Sequence, residues 1–478
     1  MMRIRHFVIA ILLIITILPL RDGFAQQEQD SPGPVYIVQE GDTLWTIAIK
    51  FNVSEADLQQ INNIDDPNQL TIGDRLIIPG LENVEGIIVT VDVPFGETVQ
   101  SFSRRYHISE ETISQLNRLS SPSELFAGSY MIISEPETVQ PNSKRFLVPP
   151  GQSILELSLL NNINPWNIVL GNSLEGTWSG LNGDILHFNG EESPANEILE
   201  PGGLPEEITS IEIRPASPLQ GKVMVLAIDA PSGLSFTGSF LGHPLNVFPN
   251  RDDTYIALHG VHAMSEPGVY PLLLEGLREN GSPFAFSQNI LVSAINYPYD
   301  RPLTVDPATL DPAVTTPENA EWSQLASHAS AEKMWQGLFQ IPSPLSADYC
   351  ITTGECWSSR FGNRRSYNGS PYNSFHTGLD IVGRNGTEIF APAPGIVIYA
   401  GPLTVRGNAT MIDHGWGIYS AYMHQEEILV NVGDVVETGQ VIGLVGATGR
   451  VEGPHLHWEI WAGGVQVDPL DWLTNEYP

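Results

Sequence analysis

The stretch GPHLHWEI, residues 453–460, sets His455 and His457 in alternation with Leu456, Trp458 and Ile460. Pro454 on one side and Gly463-Gly464 on the other bound the run. Alternation between such breakers predicts a strand. Residues two apart in a strand share a face. His455 and His457 therefore project together, and Leu456 and Trp458 turn into a core. Two imidazoles on one face can act on one metal ion or one substrate atom.

Upstream, Tyr422-Met-His424 and His376-Thr-Gly-Leu-Asp380 supply more of the same chemistry. His376 and Asp380 are separated by a turn containing glycine, so both can reach one ion. Nitrogen, nitrogen and oxygen ligands with one open position are how catalytic zinc is held. The expected zinc ligands are His376, Asp380 and His457. His424 and His455 remain as unligated imidazoles, whose intrinsic pKa near ~6.5 suits proton transfer. Two histidines and a carboxylate also suit non-haem iron. That reading leaves His424 and His455 without a task. His414, in Asp413-His414-Gly415, reads as a structural residue in a turn, and Tyr422 shares strand parity with His424.

The chain has 478 residues, 42% of them hydrophobic, so several folded domains are expected. A basic start (MMRIRH), an apolar run over 7–20 and the exit Gly23-Phe24-Ala25 read as a signal peptide, residues 1–25. The apolar run falls short of the ~20 residues that span a bilayer, so no stable membrane insertion is expected after cleavage. An uncleaved anchor is the other reading. The protein is expected to be secreted or associated with the cell envelope. A net charge of −33 excludes nucleic acid as a partner. Cys350 and Cys356, in YCITTGEC, are the chain's two cysteines. In an exported chain they are read as a short disulfide loop across a hairpin, with two free thiols as the alternative.

Three N-terminal segments repeat one plan. In 34–80 a strand leads through Gly41-Asp42-Thr43 to a helix carrying Leu44, Ile47, Ala48 and Phe51. Ser54 and Asp57 then open a second helix, and a strand returns past Gly73-Asp74. The segment 88–135 repeats this with Gly96-Glu97-Thr98 and Ser109-Glu110-Glu111. A degenerate copy at 145–190 keeps Ser153, Asn161-Asn162 and Asn172. Residues 205–296 hold short β-rich runs, such as GKVMVLAIDA, between Gly, Pro and Asn turns. They predict an immunoglobulin-like β-sandwich. Residues 297–340 read as linker and helix: a proline-rich extended stretch to Asn319, then a helix over 321–340.

The first two repeats resemble the lysin motif (LysM), a βααβ module that binds N-acetylglucosamine-containing glycans, and the third resembles a degenerate one. That resemblance implies glycan contacts at Gly41, Asp42, Thr43 and Leu44 and in the loop 66–72. The C-terminal segment holds, in order, SRFG (359–362) with Arg364, HTGLD (376–380), APAPG (391–395) and DHGWGIYSAYMH (413–424). NVGDVVETGQVIGLVGATG (431–449), GPHLHWE (453–459) and VDPLDWL (467–473) follow. This series resembles the lysostaphin-type zinc endopeptidases that cut peptidoglycan cross-bridges. One departure is Val451-Glu452, where that family often has Ser or Thr.

The resemblance implies the same three ligands, with His424 and His455 as the catalytic pair. His455 is expected to accept the proton of the attacking water, and His424 to donate to the oxyanion. The fold class expected is multidomain: βααβ LysM modules, an immunoglobulin-like sandwich, and a mainly antiparallel β-sheet zinc peptidase domain over 341–478. The function implied is that of a secreted zinc-dependent endopeptidase hydrolysing the peptide cross-bridges of peptidoglycan, with stem peptides and N-acetylglucosamine-containing glycan as partners and the LysM modules holding it on glycan. The alternative is a non-catalytic envelope adaptor that activates another hydrolase.

Overall fold

The computed structural model describes residues 33–478 except 82–83, 85, 122–123, 136–143, 149–152, 181–183, 189–203, 206, 252 and 278–280. The signal-peptide segment lies outside the described residues. No helix among the described residues is long and apolar enough to cross a membrane.

One compact unit ends at Ile88. Its strands Val35–Ile37 and Arg75–Ile77 pair antiparallel, with Tyr36 opposite Leu76. Between them, Thr43 caps the helix Leu44–Phe51 in a reciprocal box with Thr46. Ser54 caps Glu55–Asn62 through the Asp57 amide. Leu44, Ile47, Phe51 and Leu58 are buried with Tyr36 and Leu76. The Asn62 side chain fastens helix to strand. Its Nδ2 donates to the Ile77 carbonyl at 2.8 Å and its Oδ1 accepts from the Ile77 amide at 2.7 Å.

The second unit runs from Val89 to Pro478. The same fastening recurs there twice at the same spacing. Asn117 holds Ile132 at 2.7 Å in both directions, and Asn172 holds His187 at 2.5 and 2.7 Å. Around Asn172, helices Ile154–Leu160 and Pro165–Gly171 stand between the antiparallel strands Lys144–Leu147 and Ile185–Phe188.

Residues 207–292 build two antiparallel four-stranded sheets. One has the order His243–Asn246, Ser235–Phe240, Gly268–Leu277, Pro283–Val292; the other has Phe248–Pro249, Thr254–Gly260, Val223–Asp229, Ser210–Arg214. Leu226, Ile228 and Ala257 of the second meet Leu272, Leu274 and Ile290 of the first in one core. The other face of the second sheet gives Val223, Val225, Ile256 and Leu258 to the C-terminal core. This explains why VMVLAI shows no alternation: both faces of that strand are covered.

The C-terminal sheet runs Trp357–Ser359, Leu379–Val382, His455–Ala462, Ile418–Ile428, Gly407–Gly415, Gly395–Leu403, Val435–Val436, with its paired neighbours antiparallel. Leu379, Ile381, Tyr422, Leu456 and Trp458 fill the core on one face. Cys350 and Cys356 are joined by a disulfide. Cys350 lies on the helix Ala347–Thr353, and Gly354, at φ 72°, turns the chain back. The bridge therefore spans a helix end and not a hairpin.

Residues 297–340 correct the expectation of an extended linker with a helix at 321–340. Tyr299 and Leu303 form bridges to Arg364 and Tyr367, so the segment lies along the C-terminal domain. The helix is Pro312–Leu325, capped by Asp311 with proline in its first turn. Proline fits that position because its fixed φ suits a helix start and the missing N–H is not needed there. The same prolines produced the linker reading. Residues 327–340 are not helical. They carry Trp335 and Phe339 into the C-terminal core.

Candidate metal centre

His376, Asp380 and His457 are buried, and their nearest donor atoms lie within 4.8 Å of one another. Asp380 and His457 are direct cross-strand partners, so their side chains share a face. His376 arrives from the turn before the Leu379–Val382 strand. Its Nε2 is 2.9 Å from Asp380 Oδ1 and 3.0 Å from His457 Nδ1, and the last two atoms are 2.8 Å apart.

Outer partners decide where the protons sit. His376 Nδ1 donates to the Arg360 carbonyl at 2.9 Å, which leaves Nε2 as a lone pair. His457 Nε2 faces Glu459 Oε1 at 3.3 Å, which leaves Nδ1 as a lone pair. Arg365 Nη2 donates to Asp380 Oδ2 at 3.0 Å and turns Oδ1 inward. Three acceptor atoms thus converge with their protons locked outward. Burial takes His376 down to about 4, so it is neutral. His457 moves the other way: burial opposes its charge, but Asp380 and Glu459 raise it. The pocket favours a positive charge where the three atoms meet. Two imidazoles and a carboxylate with outward hydrogen bonds are a donor set that fits zinc.

His424 and His455 stand beside this triangle. Their rings are 5.1 Å apart, and His424 is 5.9 Å from the His457 ring. His455 Nδ1 donates to the Gly453 carbonyl at 2.9 Å, and its Nε2 lies 3.5 Å from Asp380 Oδ1. His424 Nδ1 donates to the Thr448 carbonyl at 2.8 Å. Burial, with His455 and His457 nearby, holds His424 well below its ordinary value.

Parity does not place His424. Tyr422 pairs with Trp458 and Met423 with His457. An unbroken strand would send His424 to the Tyr422 face, away from the site. A bulge intervenes between the pairs Asn408–Gln425 and Thr410–Tyr422, and His424 has φ 65°. That left-handed residue rotates the imidazole onto the His457 face. The expected shared parity of Tyr422 and His424 is therefore corrected. Tyr422 is fully buried, with its hydroxyl 2.6 Å from Ser420 Oγ. His414 joins the same buried network, at 2.7 Å from both Ser420 Oγ and the Pro394 carbonyl.

Glu459 and Arg365 were not picked out from sequence. Glu459 could have been found, because it sits two residues from His457 on the same strand face. Arg365 could not, since its reach to Asp380 depends on how the short strand pair Arg364–Arg365 and Ser374–Phe375 packs beside the strand Leu379–Val382. In the first repeat, Gly41 and Thr43 are exposed, and Asp42 accepts from Tyr36 Oη at 2.7 Å. Leu44 is only 1% exposed. The expectation that Leu44 touches glycan is corrected: the helix periodicity that begins at Leu44 turns it into the module's core. Its neighbour Trp45 is 62% exposed.

Residues 374–469 match peptidase family M23, and residues 36–79 and 92–134 match the LysM domain. The peptidoglycan DD-endopeptidase ShyC of Vibrio cholerae is 38% identical over 112 residues, covering 23% of this chain and 26% of that protein. The DD-carboxypeptidase/endopeptidase Mpg of Neisseria meningitidis is 41% identical over 95 residues, covering 20% and 22%. The lipoprotein NlpD/LppB homolog of Pseudomonas aeruginosa is 40% identical over 105 residues, covering 21% and 34%. The chain thus spans about a third or less of the length of these relatives. The solved catalytic domain of the antimicrobial peptidase lysostaphin from Staphylococcus simulans is 26% identical, covering 33% of this chain and 98% of that one at a TM-score of 0.21. The chain thus carries a peptidase family M23 domain over residues 374–469 and two LysM domains ahead of it.

Proposed function

We propose that this protein is a secreted zinc endopeptidase that hydrolyses peptide cross-links of peptidoglycan, held on N-acetylglucosamine-containing glycan by its LysM domains. The observation that carries the reading is the convergence of His376 Nε2, Asp380 Oδ1 and His457 Nδ1 with their protons turned outward. Zinc held by these atoms would supply a Lewis acid for the scissile carbonyl and acidify an attacking water.

The two remaining histidines divide the proton work. His424 is neutral, with Nδ1–H committed to Thr448. Its Nε2 is therefore available to accept a proton from water. His455 is less buried, and its Nε2 lies near the Asp380 carboxylate. We assign this Nε2, in the protonated ring, the role of donor to the oxyanion and then to the leaving amine. This reverses the division expected from sequence. The LysM domains raise the effective concentration of the peptidase at the wall, which matters for a chain whose charge of −33 gives it no general attraction to polyanions.

The test is digestion of purified walls by the zinc-loaded protein, with fragments identified by mass spectrometry. New amino termini within cross-linked peptides support the reading. Binding to walls without fragment release would instead identify a non-catalytic adaptor.

A further inference from the structure

Residues 297–326 precede the segment matched to family M23, yet their side chains end on the hydrogen-bond partners of the metal centre. Asp300 is the clearest case. Its Oδ2 accepts from Ser359 Oγ at 2.9 Å and from Arg365 Nε at 3.4 Å, and its Oδ1 accepts from Asn363 Nδ2 at 2.8 Å. Each partner reaches a site residue. Ser359 Oγ lies 3.1 Å from His376 Nδ1, and Arg365 Nη2 donates to Asp380 at 3.0 Å. The Asn363 carbonyl accepts from the His376 amide at 2.8 Å.

The same segment repeats the pattern elsewhere. Trp322 Nε1 donates at 3.3 Å to Glu459, the carboxylate that faces His457. Buried Glu318 accepts from the amides of Thr404, Val405 and Arg406. The Arg406 carbonyl in turn accepts from the His424 amide at 3.0 Å. Arg301 makes a different kind of contact. It pairs with Glu452 at 2.5 Å while itself 76% exposed, and exposed pairs contribute little.

We propose that Asp300 is a positioning residue for the metal centre. It fixes Ser359 and Arg365, which hold His376 in its Nε2-inward tautomer and Asp380 with Oδ1 inward. The proposal rests on the zinc reading above. Asp300 and Arg365 are 20% and 14% exposed at the side chain, so water does not replace the contact freely. Outer partners of this kind govern how well first-contact ligands are oriented.

The experiment uses the full chain, stripped of metal, with zinc affinity measured by competition against a chromophoric chelator. Thermal unfolding of the metal-free forms is followed in parallel. Asp300→Asn is expected to weaken zinc binding by ~10–100-fold while the metal-free protein unfolds close to the wild-type temperature. Ser359→Ala should weaken it less, and the double variant should lose less than the product of the two, because both act on one arm. If Asp300→Asn does not fold, Ser359→Ala still reads that arm, and wild-type affinity there overturns the proposal. Arg301→Ala should bind zinc as the wild type does. The proposal fails if Asp300→Asn binds zinc as tightly as wild type, or if Arg301→Ala weakens binding equally. A wild-type protein that binds no zinc would instead remove the functional reading on which the proposal rests.

Discussion

The strands His455–Ala462 and Ile418–Ile428 lie side by side and pair from Ile418–Ala462 to Met423–His457. They deliver their histidines to the site by opposite means. The first keeps strict alternation, so His455, His457 and Glu459 fall on one face and Leu456, Trp458 and Ile460 on the other. The second alternates only as far as Met423. A bulge and the left-handed His424 then bring an imidazole to a face where parity forbids it. A ligand that must only point inward can ride a regular strand. A residue that must approach from a neighbouring strand at a different angle needs a local distortion, and such distortions collect at functional sites.

Five substitutions, at four positions, bear on this contrast. The largest effect is expected on the regular strand. His457→Ala removes one of three ligand atoms and leaves Asp380 and His376 without their third partner. Both zinc content and wall cleavage should disappear, and retention of stoichiometric zinc would remove His457 from the ligand set.

On the bulged strand, His424→Ala should keep zinc and lose turnover by ~10²–10⁴-fold, the range for a positioned proton acceptor. His455→Ala should also keep zinc, with a loss of ~10²–10³-fold if its role is oxyanion donation. Loss of metal in either variant would show that the two histidines are ligands. A backbone comparison at the bulge comes next. His424→Gly should be more stable than His424→Ala by about 1 kcal/mol, because alanine pays for the left-handed conformation and glycine does not. Equal unfolding midpoints would mean that the bulge is not held in that conformation.

The smallest effect is expected at Tyr422, which belongs to the core despite its place beside His424. Tyr422→Phe removes a hydroxyl from the Ser420–His414 network. It should cost about 1 kcal/mol of stability and leave turnover unchanged. A fall in turnover with wild-type stability would place Tyr422 at the substrate instead.

The site was legible where geometry is local. His455 and His457 follow from alternation, His376 and Asp380 from a short turn, and the caps at Thr43 and Ser54 from residue type and spacing. The rest depends on packing between distant segments. Pro307 and Pro312 open helical turns after Asp306 and Asp311, yet in sequence they are indistinguishable from linker prolines. The run VMVLAI hides its strand period because a second domain covers its outer face. The bulge at His424 leaves no clear mark in Tyr-Met-His: no glycine stands there, and positive φ is uncommon even for histidine, which is enriched among the non-glycine residues that adopt it.

In the proposed zinc centre one ion is shared by His376 Nε2, Asp380 Oδ1 and His457 Nδ1, with His424 and His455 facing it unligated. Anomalous diffraction at the zinc edge, from crystals of the zinc-loaded protein, addresses this directly. The account predicts one peak ~2.0–2.2 Å from each of those three atoms and outside bonding distance of the other two imidazoles. A peak bonded to His424 or His455, or none within the triangle, would contradict it.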